Sequence, residues 1–277
     1  FARKLTQNKK TITYIKIFLT GTVFLWIGGF QSLQIGTQKI YGTYNTLKIN
    51  NEAWENILFD PIYIILGVFT IITTLIWGRG IFCGWLCPFG TIQDIIYKVK
   101  NLLKFKTFEI PDFIHNKLLY LKYVILSAII IGAIYATGTN ILFVFEPFRT
   151  IIEDKFNTST ILLLWSLVLL VFVFFIERGF CRYLCPTGAA LGLASQFQVI
   201  NWLTTIKSCG SESCLACSPK CPTKAIAKNG SINGKECIQC LSCQIVYNDK
   251  NITCINKQNT KSIRKNVYKD KPALRTS

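Results

Sequence analysis

Methionine is absent from this 277-residue sequence, and histidine occurs once, at His115. A haem protein that ligates iron through paired histidines is therefore excluded for this polypeptide. His115 falls in a basic stretch and reads as an ordinary surface residue. Acidic residues are scarce, 14 against 31 lysines and arginines, which leaves a net charge of +17. No phosphate-cradling G-x-x-x-x-G-K-[ST] loop and no G-x-G-x-x-G fingerprint occurs, so nucleotide chemistry has no visible seat. No helix-turn-helix is legible either, and a nucleic-acid partner is not expected. The basic end (Lys261, Arg264, Lys265, Lys269, Lys271, Arg275) reads as a solvated tail. Phe1 in place of an initiator leads us to expect a piece of a longer protein.

Apolar residues make up 51% of the chain and are gathered in blocks. Four runs hold no Asp, Glu, Lys or Arg: Ile17–Gln38, Pro61–Gly78, Tyr123–Phe145 and Phe156–Ile176. Each approaches the ~20 residues that cross ~30 Å of hydrocarbon. Four transmembrane helices are expected, with lipid as a partner. Arg3, Lys4, Lys9 and Lys10 precede the first run, and the 79–122 connection carries seven Lys or Arg. That excess places both termini of the segment, and the long loop, on the cytoplasmic side of the membrane.

The second and fourth runs end alike. One continues Arg79-Gly80-Ile81-Phe82-Cys83-Gly84-Trp85-Leu86-Cys87-Pro88, the other Arg178-Gly179-Phe180-Cys181-Arg182-Tyr183-Leu184-Cys185-Pro186. The cysteines recur 98 residues apart, so the membrane part reads as two hairpin repeats. Cys83 with Cys87, and Cys181 with Cys185, are spaced to share a helix face. Together they would offer four thiolates to a further metal or cluster, or act as reversible dithiols. The plain alternative is that they are small packing residues.

Beyond Trp202 the composition changes, and eight of the twelve cysteines lie between Cys209 and Cys254. Cys209, Cys214, Cys217 and Cys221-Pro222 approximate the bacterial C-x2-C-x2-C-x3-C-P run, in which the fourth thiolate serves the other cluster. Cys237, Cys240 and Cys243 follow, with Tyr247 where a fourth cysteine is expected and Cys254 beyond it. Two [4Fe–4S] sites result: Cys237, Cys240, Cys243 with Cys221, and Cys209, Cys214, Cys217 with Cys254. Four-cysteine zinc is the competitor, but zinc pairs two C-x2-C knuckles rather than two three-cysteine runs. Asn229-Gly230 and Asn233-Gly234 between the sets signal a small hairpin. The expected fold is membrane all-α, four helices over residues 1–200, then a small α+β ferredoxin-like domain over 201–257 and a basic tail over 258–277.

These residues resemble the NosR/NirI family of membrane iron–sulfur flavoproteins. The likeness rests on Asp60-Pro61 with WGRGIFCGWLCPFGTIQD, on Glu146-Pro147-Phe148, on Glu177–Gly188, and on ECIQCLSCQIVYND followed by the delayed Cys254. It implies electron transfer from a quinol or a cytoplasmic donor towards a periplasmic flavin domain and nitrous oxide reductase, in support of that enzyme's expression, maturation or activity. FMN would sit on a preceding domain, for which this chain has no attachment site. The alternatives are a NapH-like quinol dehydrogenase subunit and a redox-sensing regulatory or assembly protein. The expected role is an electron-transfer component, able to oxidise a quinol, rather than a stand-alone catalyst.

Overall fold

A computed structural model describes residues 9–30, 61–105, 108, 110–135, 146–147, 149–154, 157, 159–200, 203, 217–227 and 231–248. Helix α1 (Lys9–Thr22) runs into a π-helical stretch, Val23–Phe30. The first repeat follows as α2 (Pro61–Trp77), a single π turn (Phe82–Leu86) and α3 (Pro88–Leu102). Next come α4 (Asp112–Tyr135) and a π turn at Arg149–Glu153. The second repeat is α5 (Thr160–Phe175), α6 (Gly179–Tyr183) and α7 (Pro186–Ala194). A 3-10 turn (Ser218–Lys220) and α8 (Ser242–Asn248) carry the later cysteines.

Among the described residues one helix, over Asp112–Gly132, is long and apolar enough to cross a membrane. Thr11–Trp26, Ile62–Trp77 and Thr160–Phe175 are apolar but shorter. Two hydroxyls inside α2 are satisfied locally: Thr70 donates to Leu66 O at 2.7 Å and Thr73 to Phe69 O at 2.7 Å. Such back-bonding lets a hydroxyl sit on an apolar helix without an orphaned donor.

Two expectations change here. The 79–122 connection is largely helical: Pro88 sits in the first turn of α3, where its missing N–H costs nothing. The helix that carries the third run starts well before Tyr123: α4 begins at Asp112, an acidic residue suited to a helix N-terminus. The hairpin expected between the cysteine sets is present as one antiparallel bridge, Ile226 with Ile232. Ala227 N donates to Ser231 O at 2.9 Å and Asn233 N to Ala225 O at 2.8 Å.

The repeats pack on each other through a core of Phe89, Ile152, Leu169, Val173, Phe180 and Cys185. Phe89 and Phe180, one from each repeat, meet edge to face with centroids 5.1 Å apart. A cysteine at this seam places thiol chemistry where the two halves touch.

Candidate functional site

The paired cysteines at the helix ends do not share one helix face. Cys87 and Cys185 are extended, with φ/ψ of −77°/114° and −70°/110°. The following Pro88 and Pro186 impose this, since a proline ring clashes with an α-conformation in the residue before it. Each second cysteine becomes the N-cap of the next helix. Cys87 Sγ accepts from Gly90 N at 3.4 Å and Cys185 Sγ from Gly188 N at 3.2 Å. The break turns the thiols inward, and Cys83, Cys87, Cys181 and Cys185 line a single pocket with Arg79, Phe82, Thr187 and Ile238. Gln93 Nε2 donates to Cys181 Sγ at 3.0 Å. Burial pushes the Cys181 thiol up to about 11 and raises Cys83 and Cys185 as well.

The repeats exchange arginines across this pocket. Arg79, 2% exposed, donates from NH1 to Gly188 O at 2.8 Å. Arg178 donates from NH1 to Cys83 O at 2.8 Å and grips Asp94 with two bonds, 2.7 and 2.5 Å. Arg79 NH2 also reaches Glu236, at 2.9 Å to its carbonyl and 3.3 Å to its carboxylate. Lys122 closes that carboxylate at 2.5 and 2.6 Å. Glu236 immediately precedes Cys237, so the buried ion pairs tie the start of the later cysteine loop to the first repeat and to α4.

In that loop Cys221, Cys237, Cys240 and Cys243 line one pocket whose other walls are largely apolar, among them Ile226, Ile232 and Leu241. Gln239 and Leu241 are left-handed, at φ 49° and 62°. Such turns direct successive backbone N–H groups towards an anion. Gln239 N donates to Cys237 Sγ at 3.4 Å and Ala225 N to Cys221 Sγ at 3.3 Å. Burial takes the Cys237 and Cys243 thiols up to about 12, and neighbouring thiols add to the rise at Cys243. Binding of a metal must therefore displace protons. Cys217 lies alongside, its thiol donating to Cys243 O at 3.5 Å. Cys209, Cys214 and Cys254 lie outside the described residues.

Among the described residues no three His, Cys, Asp or Glu side chains converge to hold a single ion. A zinc ion needs thiolate sulfurs ~2.3 Å from one point. An iron–sulfur cube takes one thiolate per iron, so its sulfurs ring a volume instead. Four thiols around a pocket, with backbone N–H groups bonded to sulfur, suit the second kind of group. The residues present fit a cluster.

The two pockets adjoin. Ile238 lines both. Gln239 Nε2 donates to Trp77 O at the end of α2, and Trp85 Nε1 donates to Gln239 O at 3.1 Å. A Cβ on Gly84 would collide with Ile238 O, and one on Gly80 with the Gln239 side chain. Glycine is thus required by close backbone approach, not by an unusual φ. The repeat itself carries the signal that sequence reading passed over. Gly84-Trp85 of the first copy stands where the second has Arg182-Tyr183, and it is at Gly84 that the first copy takes the Ile238 backbone of the loop.

Those two residues of the second copy hold His115, which is not at the surface. It is 6% exposed, with Nδ1 2.8 Å from Tyr183 OH and 3.1 Å from Arg182 NH2. The start of α4 folds it under the second repeat, a placement no local pattern announces.

A family model described as a 4Fe-4S binding domain matches residues 59–106 and again 158–203, one match for each repeat. A second, described as NosR, matches 207–265. A NosR sequence from Pseudomonas aeruginosa is 46% identical over 71 residues, 26% of this chain and 70% of that sequence. The chain belongs to the NosR/NirI family. NosR of Stutzerimonas stutzeri is 34% identical over 250 residues, and NirI of Paracoccus denitrificans 32% over 249. Each alignment takes in 90% of this chain but only 34% and 36% of those relatives, so the chain spans about a third of their length. No solved structure matches it. The match of a 4Fe-4S family to the repeats bears directly on the helix-end thiols, because the Cys209–Cys254 region falls outside it. Within the NosR/NirI family the chain thus carries a 4Fe-4S binding domain, matched once over each repeat.

Proposed function

We propose that this chain is the membrane electron-transfer module of a NosR-type protein. It passes electrons between cytoplasmic clusters, or a quinol, and a periplasmic flavin domain that serves nitrous oxide reductase. Four helices anchor it in the inner membrane with both ends of the segment cytoplasmic, and residues 201–257 carry two [4Fe–4S] clusters. One is held by Cys221, Cys237, Cys240 and Cys243, the other by Cys209, Cys214, Cys217 and Cys254. Cys83, Cys87, Cys181 and Cys185 hold a further cluster or metal.

The observation that carries this reading is the common wall at Ile238 between the two thiol pockets. A bound cluster supplies one-electron chemistry at a potential set by its hydrogen bonds and exposure. The chain's own residues provide those controls. Apolar walls keep water from the thiols, and the N–H groups of Gln239, Ala225, Gly90 and Gly188 bond sulfur. Arg79 and Arg178 place positive charge beside thiolates that would otherwise repel one another. The outward faces of α2 and α5, with Ile65, Ile71, Val168 and Val171 exposed, are apolar enough to meet lipid.

Iron counted after anaerobic purification tests the reading. Two cubes give about eight atoms per chain, and more iron puts a group at the helix-end thiols. Zinc with negligible iron overturns it. A regulatory or assembly role is the second reading, favoured by the name "Regulatory protein" carried by the relatives. A NapH-like quinol dehydrogenase subunit is the third, and NapH is a weaker relative.

A further inference from the structure

The two repeats do not treat the four helix-end thiols alike. Cys87 Sγ and Cys185 Sγ each accept a backbone N–H, from Gly90 at 3.4 Å and from Gly188 at 3.2 Å. Cys181 Sγ receives a side chain instead, the Gln93 amide, whose Nε2 donates at 3.0 Å. Among the described residues no N–H meets Cys83 Sγ. Register explains the difference. With the cysteine motifs 98 residues apart, Gln93-Asp94 of α3 corresponds to Leu191-Gly192 of α7. The first repeat carries an amide and a carboxylate where the second has an apolar side chain and a glycine.

Gln93 is wholly buried, and its Oε1 has no hydrogen-bond partner among the described residues. An unmet buried acceptor is destabilising, and Leu191 shows that an apolar side chain suits this register of the repeat. The amide must gain its stabilisation at the sulfur. A neutral thiol is a weak acceptor and adds little. A thiolate held on a metal is a charged acceptor, and bonds to charged groups are roughly twice as strong. The surrounding structure fixes the amide in place. Asp94, the next residue, is gripped by Arg178 at 2.7 and 2.5 Å, and Arg178 is the N-cap residue of α6, which bears Cys181. Adjacent side chains of α3 thus hold the start and the middle of that short helix. Phe89 and Ile92, also on α3, pack into the core between the repeats.

We propose that Gln93 is a positioning residue for the group held by Cys83, Cys87, Cys181 and Cys185, raising its reduction potential through the N–H···S bond to Cys181. The inference rests on the reading that those thiols carry a redox group, and it names the side chain that sets its poise. A donor draws charge from the sulfur and so favours the state with one more electron. It also leaves the sulfurs unequal: three are met by donors, while Cys83, next to the Gly84 contact with Ile238, is not.

The test is a redox titration of the iron-loaded chain in detergent, followed by electron paramagnetic resonance. The signal that Cys181→Ser abolishes is that of the helix-end group. In the parent chain, heavy nitrogen isotope placed in the glutamine side-chain amides should couple magnetically to that signal. Gln93→Leu should remove the coupling and lower this midpoint alone, by about tenfold in the one-electron equilibrium, or ~59 mV, at unchanged iron. An unmoved midpoint overturns the proposal, and so does an equal shift of every centre, the mark of general loosening. Should Gln93→Leu lose iron, the parent decides: absence of the isotope coupling overturns the proposal. Iron of no more than about eight atoms, with no signal sensitive to Cys181→Ser, overturns the reading of the helix-end thiols and the inference with it. A further centre indifferent to Gln93 overturns the inference alone.

Discussion

Arg79, at the end of the first repeat's apolar helix, donates to the carbonyl of Gly188 in the second repeat, 2.8 Å away and 109 residues along the chain. Its counterpart Arg178 makes the reciprocal bond to Cys83. The duplicated R-G is therefore a cross-brace, each arm closing over the other repeat's cysteine motif. Removing Arg79 also leaves Glu236 with one cation instead of two. Arg79→Ala should cost about 3–5 kcal/mol, the range for breaking a buried pair, read as a lowered unfolding midpoint in detergent. Arg79→Lys should recover only part of this, because an ammonium cannot reproduce the fork. An alanine variant as stable as the parent would remove the brace from the account.

Gly84 faces a backbone carbonyl, that of Ile238, which cannot rotate aside as a side chain can. Gly84→Ala should undock the later cysteine loop from the first repeat while its cluster stays loaded. Electron paramagnetic resonance on the reduced protein checks this: the magnetic interaction between centres should weaken at constant iron. An unaltered spectrum would show that the loop tolerates a methyl group there.

Gln239 combines strain with attachment. Its φ of 49° is one that glycine adopts freely, while its amide is bonded to Trp77 O. Gln239→Gly relieves the first and deletes the second, so stability should change by less than about 1 kcal/mol. The interaction between centres should weaken as in Gly84→Ala. Gln239→Ala keeps the strain and loses the bond, and should unfold at lower denaturant than the glycine variant. The order glycine above alanine is the result to look for.

Cys254 lies outside the described residues, and it is the proposed fourth ligand beside Cys209, Cys214 and Cys217. Cys254→Ala should lower iron from about eight atoms towards about four, or leave a three-iron centre, while the Cys237 site keeps its spectrum. Iron and spectrum both unchanged would assign the fourth ligand elsewhere.

Replacing Cys83, Cys87, Cys181 and Cys185 together by serine should stop electron delivery through the membrane part. The iron held by the eight later cysteines should remain. Full turnover in that variant would return the four to packing residues, the role their burial alone suggests.

Cysteine spacing, apolar runs and the duplicated motif were legible in the sequence because each is written in local order. Helix breaks follow from proline. Both C-x-x-x-C-P breaks were there to be read in Pro88 and Pro186, although helical spacing pointed to one face. The helical content of 79–122 was hidden by its charges, which mark a loop in a hydropathy profile and an amphipathic helix in three dimensions.

The later cysteines, the repeat and the family thus belong to the sequence by itself. Tertiary structure alone decided that all four helix-end thiols face one pocket, and that this pocket shares Ile238 with the neighbouring thiol site. It decided too that His115 is buried under Arg182 and Tyr183. The reason is reach. Arg79 meets Glu236 across 157 positions and Gln239 meets Trp77 across 162. Contacts of that span are set by how helices pack, and no periodicity in the chain records them.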